Sequence, residues 1–288
     1  MNATDVVLRP IGADDAAAVC AFLHAQLNRR IPVHRWSALF APPWSTDAAN
    51  HGFLIEASGR IVGAYVAVYA DRVLAGAAAR VCNLAAFCVL EEYRPHSLRL
   101  VRAVLGQPGL VFTDLSPSGN VIALNERLGF DHLDTATSLA LNLPRVAPRG
   151  IRISSDPMVA EATVTGEDVR LLRDHRGARA VRHLTIRSGE SSAYLMVRKV
   201  RRKGLPVFAT VLHAGGDRAL LVRAWRAVGA HLLVHHGAVA TLVERRVLPE
   251  VFGRGRVLAR PRPKMFRAKD VPAAEIDDLY SELVLLEW

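Results

Sequence analysis

Lysine is almost absent from this chain. Four lysines stand against 33 arginines in 288 residues, so nearly all of its positive charge is guanidinium. Cysteine is scarce too. Cys20, Cys82 and Cys88 show neither a metal-ligand spacing nor the even framework of a disulfide-stapled secreted domain, and they read as small buried apolar side chains. Cys82 and Cys88 are six apart, so one extended strand would put them on the same face, too distant to pair. There is no run of 18 apolar residues, which excludes a spanning helix. The first residues lack a basic stretch followed by an apolar one, so no leader is expected and a cytoplasmic location is. There is no His-Glu-x-x-His. The adjacent His235 and His236 have no ligand spacing, and with His183 and His213 they read as core or surface histidines, so no metal is expected. Aromatic and basic residues do not interleave, which makes nucleic acid an unlikely partner.

What is present describes a folded protein of two domains. Hydrophobic residues make up 51% and charged residues 22%, and the length exceeds one ordinary domain. The charge divides unevenly. Residues 1–146 hold 12 Arg and 12 Asp plus Glu, whereas residues 147–288 hold 25 Arg plus Lys and 15 Asp plus Glu. The net +10 therefore sits wholly in the second half. That field suits an acidic partner, such as a phosphorylated acceptor, an acidic carrier protein or nucleic acid, though an arginine-biased composition explains it equally well.

Patterning alternates strands with helices, which implies α/β layers. Strands are expected at Val6–Ile11, Gly52–Ala57, Ile61–Tyr69, Arg80–Leu90 and Leu110–Thr113, and helices from Asp14 to about Leu27, over Ser97–Leu105 and up to Gly129. Arg29–Asn50, with Pro32, Pro42, Pro43, Trp36 and Trp44, reads as an irregular stretch of the kind that borders a site. Pro144–Gly150 is the expected linker, giving domains 1–146 and 147–288. Beyond it come a hairpin, Ala193–Arg201 and Pro206–His213 about Lys203-Gly204, then a helix over Arg218–Leu233 and a strand over Ala238–Val247. This order repeats the middle of the first half. The tail from Ile276 to Trp288 ends apolar and is expected to dock. If it folds back, Tyr280 and Glu282 reach a shared cleft.

Two segments carry a resemblance. Phe87-Cys88-Val89-Leu90-Glu91-Glu92-Tyr93-Arg94 reads as a buried strand entering a basic turn, and Asn120-Val-Ile-Ala-Leu-Asn-Glu-Arg-Leu-Gly-Phe130 as a short helix closed by Gly129. Together with Gly59-Arg60-Ile61-Val62-Gly63-Ala64, they resemble the acyl-donor half of the GNAT (Gcn5-related N-acetyltransferase) superfamily. That family's pattern is V-x-P-x-Y-R, a glycine-rich turn, then N-x-x-A-x-x-x-Y-E-x-x-G-F. The resemblance covers residues 5–135 and implies a mixed α/β acyltransferase fold, in tandem with a degenerate second half.

It also implies a site. The donor would be acetyl-CoA or another acyl-CoA, or an acyl-carrier protein. Its amide arm would pair with the backbone of Phe87, Cys88 and Val89, and its pyrophosphate would lie on the turn formed by Arg94, His96, Ser97, Leu98 and Arg99. Phosphate needs exposed N–H groups at a helix start. Here Ser97 and Arg99 occupy the two small positions, Pro95 removes one donor, and Ser97 is expected to cap the helix. Asn120 matches the family's arm-holding Asn. Asn125 stands where the family has a Tyr that protonates the leaving thiolate, and an amide has no comparable proton. Asp114, Ser116 and Cys88 lie near the right strand ends to act as substitute acid, base or nucleophile, although Asp114 and Ser116 also read as plain turn residues. The expected reaction is acyl transfer from a thioester to an amine. The alternative is a non-catalytic GNAT-like module that binds CoA or a partner.

Overall fold

The computed structural model describes residues 6–202 and 205–287. In the first half the chain runs β1 (Val6–Pro10), α1 (Ala16–Gln26), α2 (Val33–Trp36), β2 (Gly52–Ala57), β3 (Arg60–Leu74), β4 (Ala77–Val89), α3 (Ser97–Leu105), β5 (Leu110–Asp114), α4 (Gly119–Arg127), β6 (Asp131–His132) and β7 (Thr137–Leu141). It continues through β8 (Arg152–Ser154), α5 (Pro157–Thr163), α6 (Asp168–His175), β9 (Val181–Ser188), β10 (Ser191–Arg202), β11 (Leu205–Gly216), α7 (Arg218–His236), β12 (Ala240–Glu244), α8 (Pro249–Phe252), β13 (Arg256–Val257), β14 (Met265–Arg267) and α9 (Glu282–Leu285). The hairpin turn expected at Lys203-Gly204 lies outside the described residues. No helix among the described residues is long and apolar enough to cross a membrane.

These strands form two mixed sheets, ordered β1-β2-β3-β4-β5-β14-β6 and β13-β7-β12-β11-β10-β9-β8. Each has one parallel pair, β4 with β5 and β11 with β12, joined by α3 and α7 respectively. The repeat of strand, strand, helix, strand read from the sequence is therefore real. Sheet membership nonetheless crosses residue 146 in both directions. β7 pairs with β12 in the second sheet, and β14 from the second half inserts between β5 and β6 in the first.

Burial follows this layering. Leu100, Val101 and Val104 of α3 pack on one face of the first sheet. α7 covers the outer face of the second sheet through Leu220, Leu221, Trp225 and Val228. Between the sheets lies the largest core, built from α1, Trp36 and Trp44, Tyr194 and Met196 of β10, and the tail residues Leu279, Tyr280 and Val284–Leu286. Local chemistry sets the ends of α7. Asp217 accepts from the Leu220 N–H at 2.9 Å, and Gly237, at φ 63°, closes the helix with a bond to the Leu233 carbonyl.

Several expectations shift. The stretch 29–50 contains α2 and a short 3-10 turn, Ser37–Leu39. β3 runs on to Leu74, and β12 is shorter than the expected strand. The largest shift lies within β4. Val66 opposes Ala86 while Ala67 opposes Leu84, so Ala85 is an extra residue, a β-bulge. The bulge reverses the alternation of faces. Cys82 packs on the α3 side and Cys88 on the inter-sheet side, contrary to the same-face expectation. Gly63 of β3 lies opposite the end of β4 and under α3. A Cβ there would meet Val89 at 3.2 Å and Leu100 at 3.4 Å, so a glycine lets the helix sit close to the sheet.

Candidate active site

The parallel pair in the first sheet is short. Its register runs from Arg80↔Leu110 to Asn83↔Thr113 and stops. Past that point β4 stays with β3 as far as Val89, while β5 turns away after Asp114. The two strands splay, and a cleft of about 330 Å³ occupies the gap. Leu84, Ala86 and Phe87 of β4 form one wall, and Asp114, Ser116 and Val121 form the other. Leu27 and Asn28 approach from the end of α1, Tyr65 from β3, and Arg262 and Leu283 from the second half.

The polar groups around the cleft are held from behind. Asn83 and Thr113, the last paired residues, are buried and joined by an Asn83 Nδ2 to Thr113 Oγ1 bond of 3.1 Å. Asn83 Oδ1 accepts from the Glu282 N–H at 3.1 Å, which ties the tail to the apex of the splay. Asp114 is 5% exposed and accepts from Asn125 Nδ2 at 2.8 Å. Burial pushes its carboxyl up to about 6, against the hydrogen bonds from Asn125 and from the Ser116 N–H. Ser116 is exposed to the cleft and donates from Oγ to Glu282 Oε1 at 2.6 Å. Glu282 is wholly buried. Burial pushes its carboxyl up to about 7, the Asp114 charge adds to that, and the Ser116 bond opposes it. Its other oxygen, Oε2, has no hydrogen-bond partner among the described residues.

The structure thus brings Phe87, Asp114 and Ser116 to one cleft. Cys88 does not line it. Its side chain packs toward the inter-sheet core, and burial raises its thiol, which disfavours a thiolate nucleophile. The Val89 side chain packs under α3, on the face opposite Cys88. Asn125 does not line the cleft either: it is 2% exposed and spends its amide on Asp114. Asn120 stands in the first turn of α4, and its side chain lies outside the described residues. Sequence reasoning missed Tyr65 and Arg262. Tyr65 sits in an ordinary run of strand residues, and Arg262 in a proline-flanked arginine segment, with no motif to mark either one. Glu282 carried a signal, a carboxylate directly before the apolar run Leu-Val-Leu-Leu.

The turn at the start of α3 departs from an open phosphate loop. Residues Glu91–His96 form a 3-10 turn that runs straight into α3. The Ser97 N–H is already bonded to the Arg94 carbonyl, and the Ser97 side chain makes no cap, which corrects the expectation of a serine N-cap. Arg94, Leu98 and Arg99 are exposed, and Arg99 Nη1 lies 3.3 Å from His96 Nδ1. Cationic side chains, more than free main-chain amides, are what this turn offers an anion. The matching helix start in the second half, at α7, is filled by the carboxylate of Asp217, which repels phosphate. Among the described residues no group of three His, Cys, Asp or Glu side chains is arranged to hold a metal.

With its bulged strand, the parallel neighbour that splays from it and the helix crossing between the two, this chain has a fold similar to that of solved GCN5-related N-acetyltransferases. Two such mixed sheets are consistent with a tandem arrangement. Particular solved structures share it. A GCN5-related N-acetyltransferase from Kribbella flavida superposes with a TM-score of 0.59 at 14% identity, over 94% of this chain and 72% of that one. One from Anabaena variabilis gives 0.57 at 10% identity, over 91% and 72%. One from Sphaerobacter thermophilus gives 0.51 at 14% identity, over 96% and 98%. At these identities the likeness is one of fold. No protein-family model matches the sequence, and no curated protein matches it.

Proposed function

We propose that the protein is an acyltransferase that moves an acyl group from a thioester, acyl-CoA in the first instance, to an amine. The observation that carries this reading is the cleft in the β4–β5 splay, which has strand backbone on one wall and Asp114 and Ser116 on the other. A pantetheine arm would satisfy the Phe87–Val89 main chain where β5 has left it. The strand N–H groups there would polarise the thioester carbonyl. Arg94, His96 and Arg99 would face the donor's phosphates. The acceptor would enter from the side of Asn28 and Arg262, where the halves meet, and the Asp114 carboxylate favours a cationic group such as an ammonium. On this reading residues 1–146 bind the donor, and the basic second half closes the acceptor side.

A second reading has its own observation. The occupied Ser97 N–H and the inward-turned Asn125 suit a module that binds CoA or a partner without turnover. Thermal shift with free CoA, acetyl-CoA and long-chain acyl-CoA, followed by thiol release with a panel of primary amines, separates the two. At 100 times its dissociation constant a donor adds about 2.7 kcal/mol of stability. A shift with amine-dependent thiol release supports the acyltransferase. A shift without thiol release supports the binding module. No shift with any thioester sinks the CoA reading and turns attention to a carrier-protein donor.

A further inference from the structure

The structure assigns Glu282, a tail residue contributed by the second half, as the proton acceptor that works through Ser116 on the acceptor amine. This rests on the acyltransferase reading and extends it.

The argument begins with geometry. Ser116 is the one hydroxyl that both lines the cleft and touches a carboxylate among the described residues, at 2.6 Å to Glu282 Oε1. The carboxylate is fully buried behind it, so the serine is its route to the cleft. Glu282 is also fixed from the main-chain side by Asn83, at the apex where the donor strands part. A structural carboxylate at such depth would be expected to have both oxygens satisfied. Here Oε2 has no donor among the described residues, which leaves the group with appetite for a proton. The Asp114 charge raises the Glu282 carboxyl further and the Arg198 guanidinium opposes that. Arg198 of β10 is 5% exposed, with Nε unpartnered among the described residues and burial bringing its guanidinium down to about 10. Asp114 is less suited to the role. It already accepts from Asn125 and from the Ser116 N–H, and both bonds favour its charged form.

The step balances. An ammonium acceptor gives one proton to Ser116 Oγ as the serine's own proton passes to Glu282 Oε1, leaving a free amine and a neutral carboxylic acid. The amine lone pair then forms the C–N bond to the thioester carbonyl carbon. The C–S bond breaks with its electron pair on sulfur, and the surplus N–H proton goes to that sulfur as thiol. Glu282 returns its proton to water through Ser116. By contact, Ser116 is the catalytic residue and Glu282 acts through it.

The test is the pH dependence of kcat/KM for amine-dependent thiol release by the wild type, Glu282→Gln and Ser116→Ala, with the wild-type carboxyl followed by infrared titration. The wild type should gain about tenfold per pH unit between about 6 and about 7, more steeply below 6 where Asp114 also takes up a proton, and then level off. Glu282→Gln keeps an oxygen for the Ser116 bond, yet should lose that limb and about 10²- to 10⁴-fold in rate. Ser116→Ala should lose a similar factor while the protonated carboxyl band remains and its midpoint moves. If Glu282→Gln does not fold, the infrared midpoint and its displacement in Ser116→Ala decide the matter. A carboxyl that titrates near 4.5, or a Glu282→Gln rate profile identical to the wild type, overturns the relay and leaves the acyltransferase standing. A wild type that releases no thiol with any amine overturns the acyltransferase, and the relay falls with it.

Discussion

At the scale of single residues, Asn125 shows how one substitution redirects a site. Its position matches a family tyrosine in the sequence pattern, yet its amide is turned inward to hold Asp114 at 2.8 Å. Asn125→Ala removes that donor from a buried carboxylate, at an expected cost of about 1–3 kcal/mol near pH 7.5. The cost should shrink below pH 6, where Asp114 is protonated and needs the donor less. Urea unfolding at pH 7.5 and pH 5 checks this; equal losses at both would place the effect on packing instead. His175 is a second site whose contribution depends on pH. Its Nε2 accepts from the Tyr280 N–H at 3.3 Å, which needs the neutral ring, while its Nδ1–H donates to the Leu171 carbonyl at 2.9 Å, a bond that favours the charged ring and is outweighed by burial. Burial brings its pKa down to about 4 from 6.5. The unfolded chain therefore binds the extra proton between those values. The histidine's contribution is complete above about 6.5 and is lost as pH falls toward 4, by up to about 3 kcal/mol. The stability advantage of the wild type over His175→Gln should shrink by that amount between pH 7 and pH 4. Glu282 and Asp114, whose pKa values are raised, pull the other way in the same window, so the comparison has to be made against the variant.

At the scale of elements, the sequence was most legible where an amphipathic period was long. The span of α3 and the start of α7 were read correctly because apolar residues recur on one face. β7 and β14 were not legible. A strand of three residues, Met265–Arg267, carries no period, and its place between β5 and β6 is set by contacts far away in sequence. The β4 bulge was equally hidden, because Ala85 looks like any alanine in a strand, and missing it put Cys88 on the wrong face. The cleft itself was half legible: Phe87, Asp114 and Ser116 follow from their place at strand ends, whereas Tyr65 and Arg262 arrive through tertiary contact alone. The 3-10 turn before α3 leads to a prediction about the donor. With the Ser97 N–H already used, phosphate recognition should lean on side chains. Arg94→Ala and Arg99→Ala should each weaken CoA binding about 10- to 100-fold, the loss of one charge-assisted contact, and should barely affect a pantetheine thioester that lacks the nucleotide. Calorimetry with both ligands distinguishes this from general damage, which would weaken the two alike. Gly63 tests the packing above the same turn. Gly63→Val drives methyls into Val89 and Leu100 and should cost about 1–3 kcal/mol, read as a lowered urea midpoint.

At the scale of the molecule, the two halves are bound by what they exchange. Each sheet borrows a strand from the other half, and the tail from 276 to 287 fills the space between them. The tail is anchored at several points. Arg72, on the long β3–β4 hairpin, makes paired bonds to Asp277 at 2.9 and 2.7 Å and lies 4.8 Å over the Tyr280 ring. Tyr280 sits at φ 56°, a left-handed conformation costly for a non-glycine residue. It is held there by a 2.6 Å bond from its hydroxyl to Asp174 and by ring contacts with Trp44 and His175. Beside it, Asp278 is wholly buried between Lys264 and Arg246, which also share Glu244. Burial alone would raise the Asp278 carboxyl, but the two cations hold it below the usual range. Because the four groups satisfy one another, removing one is worse than never having had the set. Asp278→Ala leaves two buried cations sharing a single carboxylate and should cost about 3–5 kcal/mol. Glu282 lies only four residues along the tail, so loosening this anchor should also release its hold on Asn83 and Ser116. The expected outcome for Asp278→Ala is a lowered unfolding midpoint together with faster hydrogen exchange across residues 276–287 and at the end of β5. Conversely, a variant that replaces Asp278, Glu244, Lys264 and Arg246 together by apolar residues of similar volume should recover much of the stability, because no buried charge is left alone. Recovery of stability together with slow exchange at the end of β5 would show that the tail's docking, and not its charges, is what the splayed site requires.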